Sequence, residues 1–276
     1  MCIMNQSTSL LCWLAVIPIL TSCDKRKLDK EPEPAPVNTA LTNGLPSKPK
    51  SINGYYYAEI LTDSGGTSST MSSASAYAAF NDPEANLITN INHYYDGANL
   101  LYSSTTSTGN VSVGNVLFNT LSMAPRTFPP VFYFYSTPIY SIQSETAKWK
   151  TDGNGAFKAL DMTITREFPT LSVPPGSISV TGGGGYTINA TGYFNNYDSV
   201  SVIITNDYLS YRQARTSASK QPVFVFSTFD LNPFRGYEYN TVISFQAFNY
   251  SNCTVNDKVY IFELARKTKK RIVIEN

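Results

Sequence analysis

Any mechanism that needs an imidazole has one residue to use, because His93 is the only histidine of the chain. In a Ser-His-Asp or Cys-His arrangement it would be the base that takes the nucleophile's proton. It stands in Asn92-His93-Tyr94-Tyr95-Asp96-Gly97, which reads as a strand end entering a turn and suits an ordinary solvent-facing or half-buried histidine. Zinc draws on several His or Cys ligands, and His93 with Cys253 does not make a common set. Calcium needs spaced acidic oxygen ligands, and no loop of the EF-hand kind is present. The run Gly182-Gly183-Gly184-Gly185 invites a phosphate loop, but no Lys-Ser or Lys-Thr follows, and the next residues read as strand rather than a helix N-terminus. Two carboxylates from distant segments could meet as a glycosidase pair, yet spacing singles out no two of them. The expectation is a protein without catalytic residues, metal or cofactor.

The cysteine with a chemical expectation is Cys23. It closes Leu20-Thr21-Ser22-Cys23 after the apolar run Leu10 to Leu20, which has the length of a signal-peptide core and is too short to span a bilayer as a helix. A branched apolar residue, two small residues and a cysteine resemble the lipobox of bacterial lipoproteins. That resemblance implies that residues 1–22 are removed and that Cys23 becomes an acylated N-terminus. Membrane lipid would then be a partner, since acyl chains contribute roughly 0.8 kcal/mol per buried methylene. Cys253 is left without an intramolecular disulfide partner and reads as a small, partly buried residue of a strand or turn.

The elements that carry these residues follow from composition. Aromatics make up 13% of the chain and charged residues only 15%, a balance that leans toward an exported β-rich protein. A formal net charge of +1 predicts no global attraction to nucleic acid. Residues 23–50, with early charges and then Pro32, Pro34, Pro36, Pro46 and Pro49, read as a lipid-proximal tether, extended at about 3.1 Å per residue.

From Ser51 onward, short apolar runs alternate with Gly, Ser, Thr, Asn and Pro. Strands are expected at Tyr55 to Leu61, Ala74 to Phe80, Val111 to Leu121, Val131 to Tyr135, Ser144 to Lys150 and Leu160 to Thr165. After Phe168-Pro169-Thr170 come Ile178 to Val180, Tyr186 to Ala190, Val200 to Ile204, Val223 to Ser227, Thr241 to Asn249, Lys258 to Leu264 and Arg271 to Glu275. In Lys148-Trp149-Lys150 a large apolar side chain between two charges points inward. Asp152-Gly153-Asn154-Gly155 is a turn. The spacing predicts an all-β protein of one or two immunoglobulin-like sandwiches, divided as 51–168 and 169–276.

Several of these segments carry a second resemblance. Trp149 with Gly153-Asn154-Gly155-Ala156-Phe157, Arg166-Glu167-Phe168-Pro169, Tyr186-Thr187-Ile188, Asp198-Ser199-Val200, and Ala247-Phe248-Asn249-Tyr250 ahead of Val259-Tyr260-Ile261-Phe262 resemble a group of uncharacterised lipoproteins from Bacteroidota. The likeness implies an anchored protein of the cell envelope, with the outer membrane favoured, and brings no catalytic residues.

Two features invite a binding role. In Phe132-Tyr133-Phe134-Tyr135 adjacent rings face opposite ways. The rings are either a core face with scattered surface tyrosines or include an exposed platform for a glycan or an envelope protein, whose members would then be Tyr133 and Tyr135, on the opposite face from Phe132 and Phe134. Arg266, Lys267, Lys269, Lys270 and Arg271 read as the solvated tip of a hairpin. The function expected from the sequence is non-enzymatic binding or envelope structure. Glycan capture is the first alternative, and a carboxylate-dependent hydrolase a more distant one.

Overall fold

The computed structural model describes residues 40–44, 52–64, 71–85, 95–96, 99–100, 111–126, 132–138, 146–174, 176–181, 183–206, 209–216, 222–236 and 241–275. All belong to one compact unit, Ala35–Asn276. Cys23, most of the tether, His93 and Gly182 lie outside the described residues.

The chain is all-β, as its alternating pattern predicts. Its strands are β1 (Thr42–Asn43), β2 (Ile52–Ser64), β3 (Met71–Ala85), β4 (Tyr95–Asp96), β5 (Asn99–Leu100), β6 (Val116–Phe118), β7 (Leu121–Ser122), β8 (Ala124–Arg126), β9 (Phe132–Pro138) and β10 (Ala147–Thr151). They continue as β11 (Leu160–Ile164), β12 (Thr170–Leu171), β13 (Ile178–Thr181), β14 (Tyr186–Asn189), β15 (Phe194–Asn195), β16 (Ser199–Thr205), β17 (Ser210–Thr216), β18 (Val223–Phe226), β19 (Val242–Val255) and β20 (Lys258–Glu275). One α-helical turn, α1 (Thr228–Leu231), follows β18 and is started by a local capping box: Ser227 Oγ accepts from the Asp230 amide while the Asp230 carboxylate accepts from the Ser227 amide.

A large sheet runs in the order β17-β16-β19-β20-β2-β3-β9-β8, with β1 added to β19 and β13 to β20. A four-stranded sheet, β11-β10-β6-β7, packs on it. Side chains alternate between the faces of a strand, so membership of the cores shows which residues share a face. On β20, Tyr260, Phe262 and Leu264 enter one hydrophobic cluster, and Ile272 and Ile274, of the same parity, enter another. On β19, Cys253 and Val255 join the first cluster, and Ile243, Phe245 and Ala247 the second. Two cores therefore lie side by side on one face of the large sheet. The first is closed by the four-stranded sheet through Phe118, Trp149 and Met162, and the second by the β14–β18 ribbon with Leu231 and Phe234. The chain changes core near Phe168-Pro169, but β19 and β20 serve both.

Three of the segments that carry the lipoprotein resemblance, at Arg166-Glu167, Asp198 and Asn249-Tyr250, meet at this change. Before Ser199, where β16 begins, the ladder along β19 continues through the Asp198 amide, which donates to the Phe248 carbonyl at 2.9 Å, and then through side chains. The Asp198 carboxylate accepts from the Tyr250 amide at 2.9 Å and from Arg166 Nη2 at 2.6 Å, and Arg166 Nη1 donates to the Tyr250 carbonyl at 3.4 Å. Asn249 Nδ2 donates to the carbonyls of Glu167 and Asn196, both at 2.9 Å. Buried backbone groups must find partners; the clasp supplies the Tyr250 amide, while the Tyr250 carbonyl also accepts from the Gly44 amide beside β1 at 2.8 Å.

Two expectations about turns are corrected. The basic run 266–271 is no hairpin tip, because it lies inside β20 between β19 and β2. The real turn is Asn256-Asp257, whose φ values of 48° and 61° give the left-handed pair that a two-residue hairpin needs. The expected strand Val111 to Leu121 is interrupted by a similar turn at Asn119-Thr120, with φ 46° and 73°. A β-branched residue in that region carries strain of ~1–3 kcal/mol. The glycine-rich turn before Tyr186 joins strands that pair with different partners, β13 with β20 and β14 with β18.

Candidate functional site

The aromatic residues of the central strands sort onto two faces. Tyr56 lies in the first core, stacked on Phe262 at 4.7 Å between ring centroids. Tyr55 and Tyr57 therefore project from the opposite face. Register then places Phe134 of β9, Tyr77 of β3, Tyr57 of β2, Glu263 of β20 and Tyr250 of β19 in one row across that face. Burial deepens along the row, from Phe134 at 45% exposed, through half-buried Tyr77 and Tyr57, to Glu263 and Tyr250 at 1% and 2%. The Tyr55 ring lies 6.4 Å from Tyr57, nearly parallel, and 6.4 Å from Tyr77, tilted by 55°. Phe134, Tyr77 and Tyr57 thus form a stepped aromatic surface about 10 Å across, from two strand spacings.

Charge adjoins the rings. Glu59, two residues along β2 from Tyr57, pairs with Lys267 of β20 at 2.5 Å and accepts a short hydrogen bond from the Tyr57 hydroxyl. Lys267 Nζ also sits 5.3 Å from the centre of the Tyr57 ring, a cation–π arrangement. Tyr55 donates to Glu263 Oε2 at 2.8 Å. Burial, reinforced by the neighbouring carboxylates, pushes the Tyr55 and Tyr57 hydroxyls well above the usual tyrosine range, so both remain donors. Burial alone would raise the Glu59 carboxyl, but the Lys267 charge and the hydrogen bonds from Lys267 and Tyr57 outweigh it and hold the group below its ordinary value.

The sign of that shift gives a test. A carboxyl held low when folded adds stability above its unfolded pKa of about 4.3, and this is lost as pH falls through the folded value. Wild type should lose stability through acid pH more steeply than Glu59→Gln, by at most about 1.4 kcal/mol per pH unit for one proton. Parallel pH profiles in chemical denaturation would show that Glu59 is not held by Lys267.

The platform expected from the sequence used the wrong face of β9. Tyr133 is 1% exposed and sits in the first core, where its hydroxyl accepts from the Val113 amide at 2.9 Å and meets Ser112 Oγ at 3.0 Å. Phe134 is the exposed ring. The Tyr135 backbone pairs with Ala76, and its side chain lies outside the described residues. Alternation within Phe132–Tyr135 defines two faces without saying which is inner, and a hydroxyl supplied with partners by residues 20 and 21 positions away makes tyrosine the core residue. Tyr77, Glu59 and Lys267 carried no local signal, since only strand register unites them. Trp149 points inward as expected, at 1% exposed. Cys253 is 4% exposed, and burial pushes its thiol up to about 11, which keeps it protonated. Compared with protein-family models, curated proteins and solved structures, the chain matches none.

Proposed function

We propose that this is a lipid-anchored protein of the bacterial cell envelope whose folded part captures a carbohydrate on the Phe134–Tyr77–Tyr57 surface. The observation that carries the reading is that row of rings, exposed at the β9 end and flanked by the Glu59–Lys267 pair. Aromatic faces stack on the apolar CH face of a sugar ring while the adjoining carboxylate and ammonium meet its hydroxyls. The half-buried hydroxyls of Ser73 and Ser75 belong to the same face of β3 and extend the polar margin. Anchoring rests on the Leu20-Thr21-Ser22-Cys23 box and the tether behind it. None of the described residues forms a helix long and apolar enough to cross a membrane.

One comparison of three proteins tests both halves. Native protein should fractionate with membranes and retain a neutral glycan from an array. Cys23→Ala should release it to the soluble fraction with glycan binding intact. Phe134→Ala should weaken binding about tenfold, ~1.4 kcal/mol, with stability changed by less than about 0.5 kcal/mol because the ring is already half in solvent. Retained affinity in Phe134→Ala would remove the aromatic surface from the proposal, and unchanged fractionation of Cys23→Ala would remove the anchor.

A further inference from the structure

A second ligand site lies on the other sheet. The inner residues of β6, β10 and β11 are buried in the first core, and their outer neighbours border an open cleft of about 240 Å³ lined by Leu117, Thr120, Lys148, Lys150 and Asp161. Such a volume is below the ~300–1,000 Å³ of drug-sized pockets and suits one ring-sized ligand. Lys148 and Asp161 form an ion pair at 3.3 Å, whereas Lys150, exposed on the same face, makes none among the described residues. The cleft therefore presents one uncompensated positive charge, a carboxylate acceptor, a hydroxyl and an apolar floor at Leu117.

An independent observation is the conformation of Thr120. The second position of this left-handed two-residue turn is the place for glycine, and a β-branched residue is strained there. Asn119 clamps the turn to β10, its amide donating to the Lys148 carbonyl at 2.8 Å and its Oδ1 accepting from the Lys148 amide at 2.6 Å. The clamped turn holds Thr120 at the cleft it lines, and an observed outlier of this kind supports a functional hypothesis.

We infer that the cleft binds a carboxylated sugar, a uronate unit of an acidic polysaccharide. Lys150 takes the carboxylate, Asp161 and Thr120 take ring hydroxyls, and Leu117 meets an apolar edge of the ring. The site is separate from the aromatic surface and does not depend on it.

The test uses the full chain in detergent, with a galacturonate oligomer as the probe and a neutral galactose oligomer as its control, in titration calorimetry. Native protein should bind the acidic oligomer, more weakly as salt is raised. Lys150→Gln should lose at least about tenfold in affinity, and Phe134→Ala should leave this binding unchanged. Thr120→Gly relieves the strain, so it should bind more weakly while melting at the same or a higher temperature. Equal binding of the neutral oligomer, full affinity in Lys150→Gln, or Thr120→Gly with unaltered affinity would each overturn the proposal. Weakened galacturonate binding in Phe134→Ala would place the ligand on the aromatic surface and overturn it as well.

Discussion

Replacing Trp149 with alanine is expected to destabilise the protein by about 3–5 kcal/mol. The residue is fully buried where the two layers meet. On β10 it pairs with Met162 of β11 and Phe118 of β6, and its ring lies 4.7 Å from Phe118 and 5.0 Å from Tyr56. Tyr56 in turn stacks on Phe262 of β20, so the indole is the piece through which the four-stranded sheet grips the large one. Alanine leaves a cavity between two β-layers, each stiffened by hydrogen bonds within its own sheet, so the surroundings have little freedom to collapse. At roughly 2–4 °C per kcal/mol for a domain of this size, the melting temperature should fall by about 6–20 °C. Because β19 and β20 run through both cores, calorimetry should show one transition in native and variant alike. A melt that splits in two would show that the cores unfold separately, and a drop below about 3 °C would show that Trp149 does not join the layers.

The inward direction of Trp149 is readable from two flanking lysines, and that of Leu160, Met162 and Ile164 from strict alternation. Both are local patterns. What remained hidden depends on pairing between segments far apart in sequence. Five basic residues within 266–271 look like a solvent-exposed tip, because nothing nearby neutralises them. Their partner strand is β2, some two hundred residues earlier, and its parallel register brings Glu59 to Lys267. Alternation then splits the run: Lys267 lies on the aromatic face, while Lys270, 3% exposed, is on the core side and donates to the Gly176 carbonyl at 3.3 Å. The same blindness to register exchanged the roles of Tyr133 and Phe134. By contrast Ser227-Thr228-Phe229-Asp230 holds a legible helix start, because its capping pair lies three residues apart in sequence.

Gly153 shows how a weak sequence signal conceals a strong structural demand, and Gly153→Ala is expected to cost about 2–5 kcal/mol, from backbone strain together with overpacking. Its φ is +78°, and a Cβ there would lie 2.5 Å from the Phe157 carbonyl oxygen and 2.7 Å from the Ala159 nitrogen. Both are backbone atoms, so no rotamer change relieves the clash. They cannot retreat cheaply, because the loop is tied from within and without. The Asn154 amide donates to the Phe157 carbonyl at 2.9 Å, Asn154 Oδ1 accepts from the Phe157 amide at 3.0 Å, and Asn154 Nδ2 reaches the Ser112 carbonyl at 2.6 Å. The fold-back delivers Phe157 to the core, 2% exposed, edge-on to Phe80 at 5.7 Å and to Tyr260 at 6.3 Å. Gly155, two residues on, has a similar φ of +75° with nothing within 4 Å of its added Cβ, so Gly155→Ala should cost only the left-handed penalty of about 1 kcal/mol. Denaturant midpoints of the two variants separate the causes. A larger loss at Gly153 assigns the demand to the packed loop, and equal losses would leave backbone conformation as the whole of it.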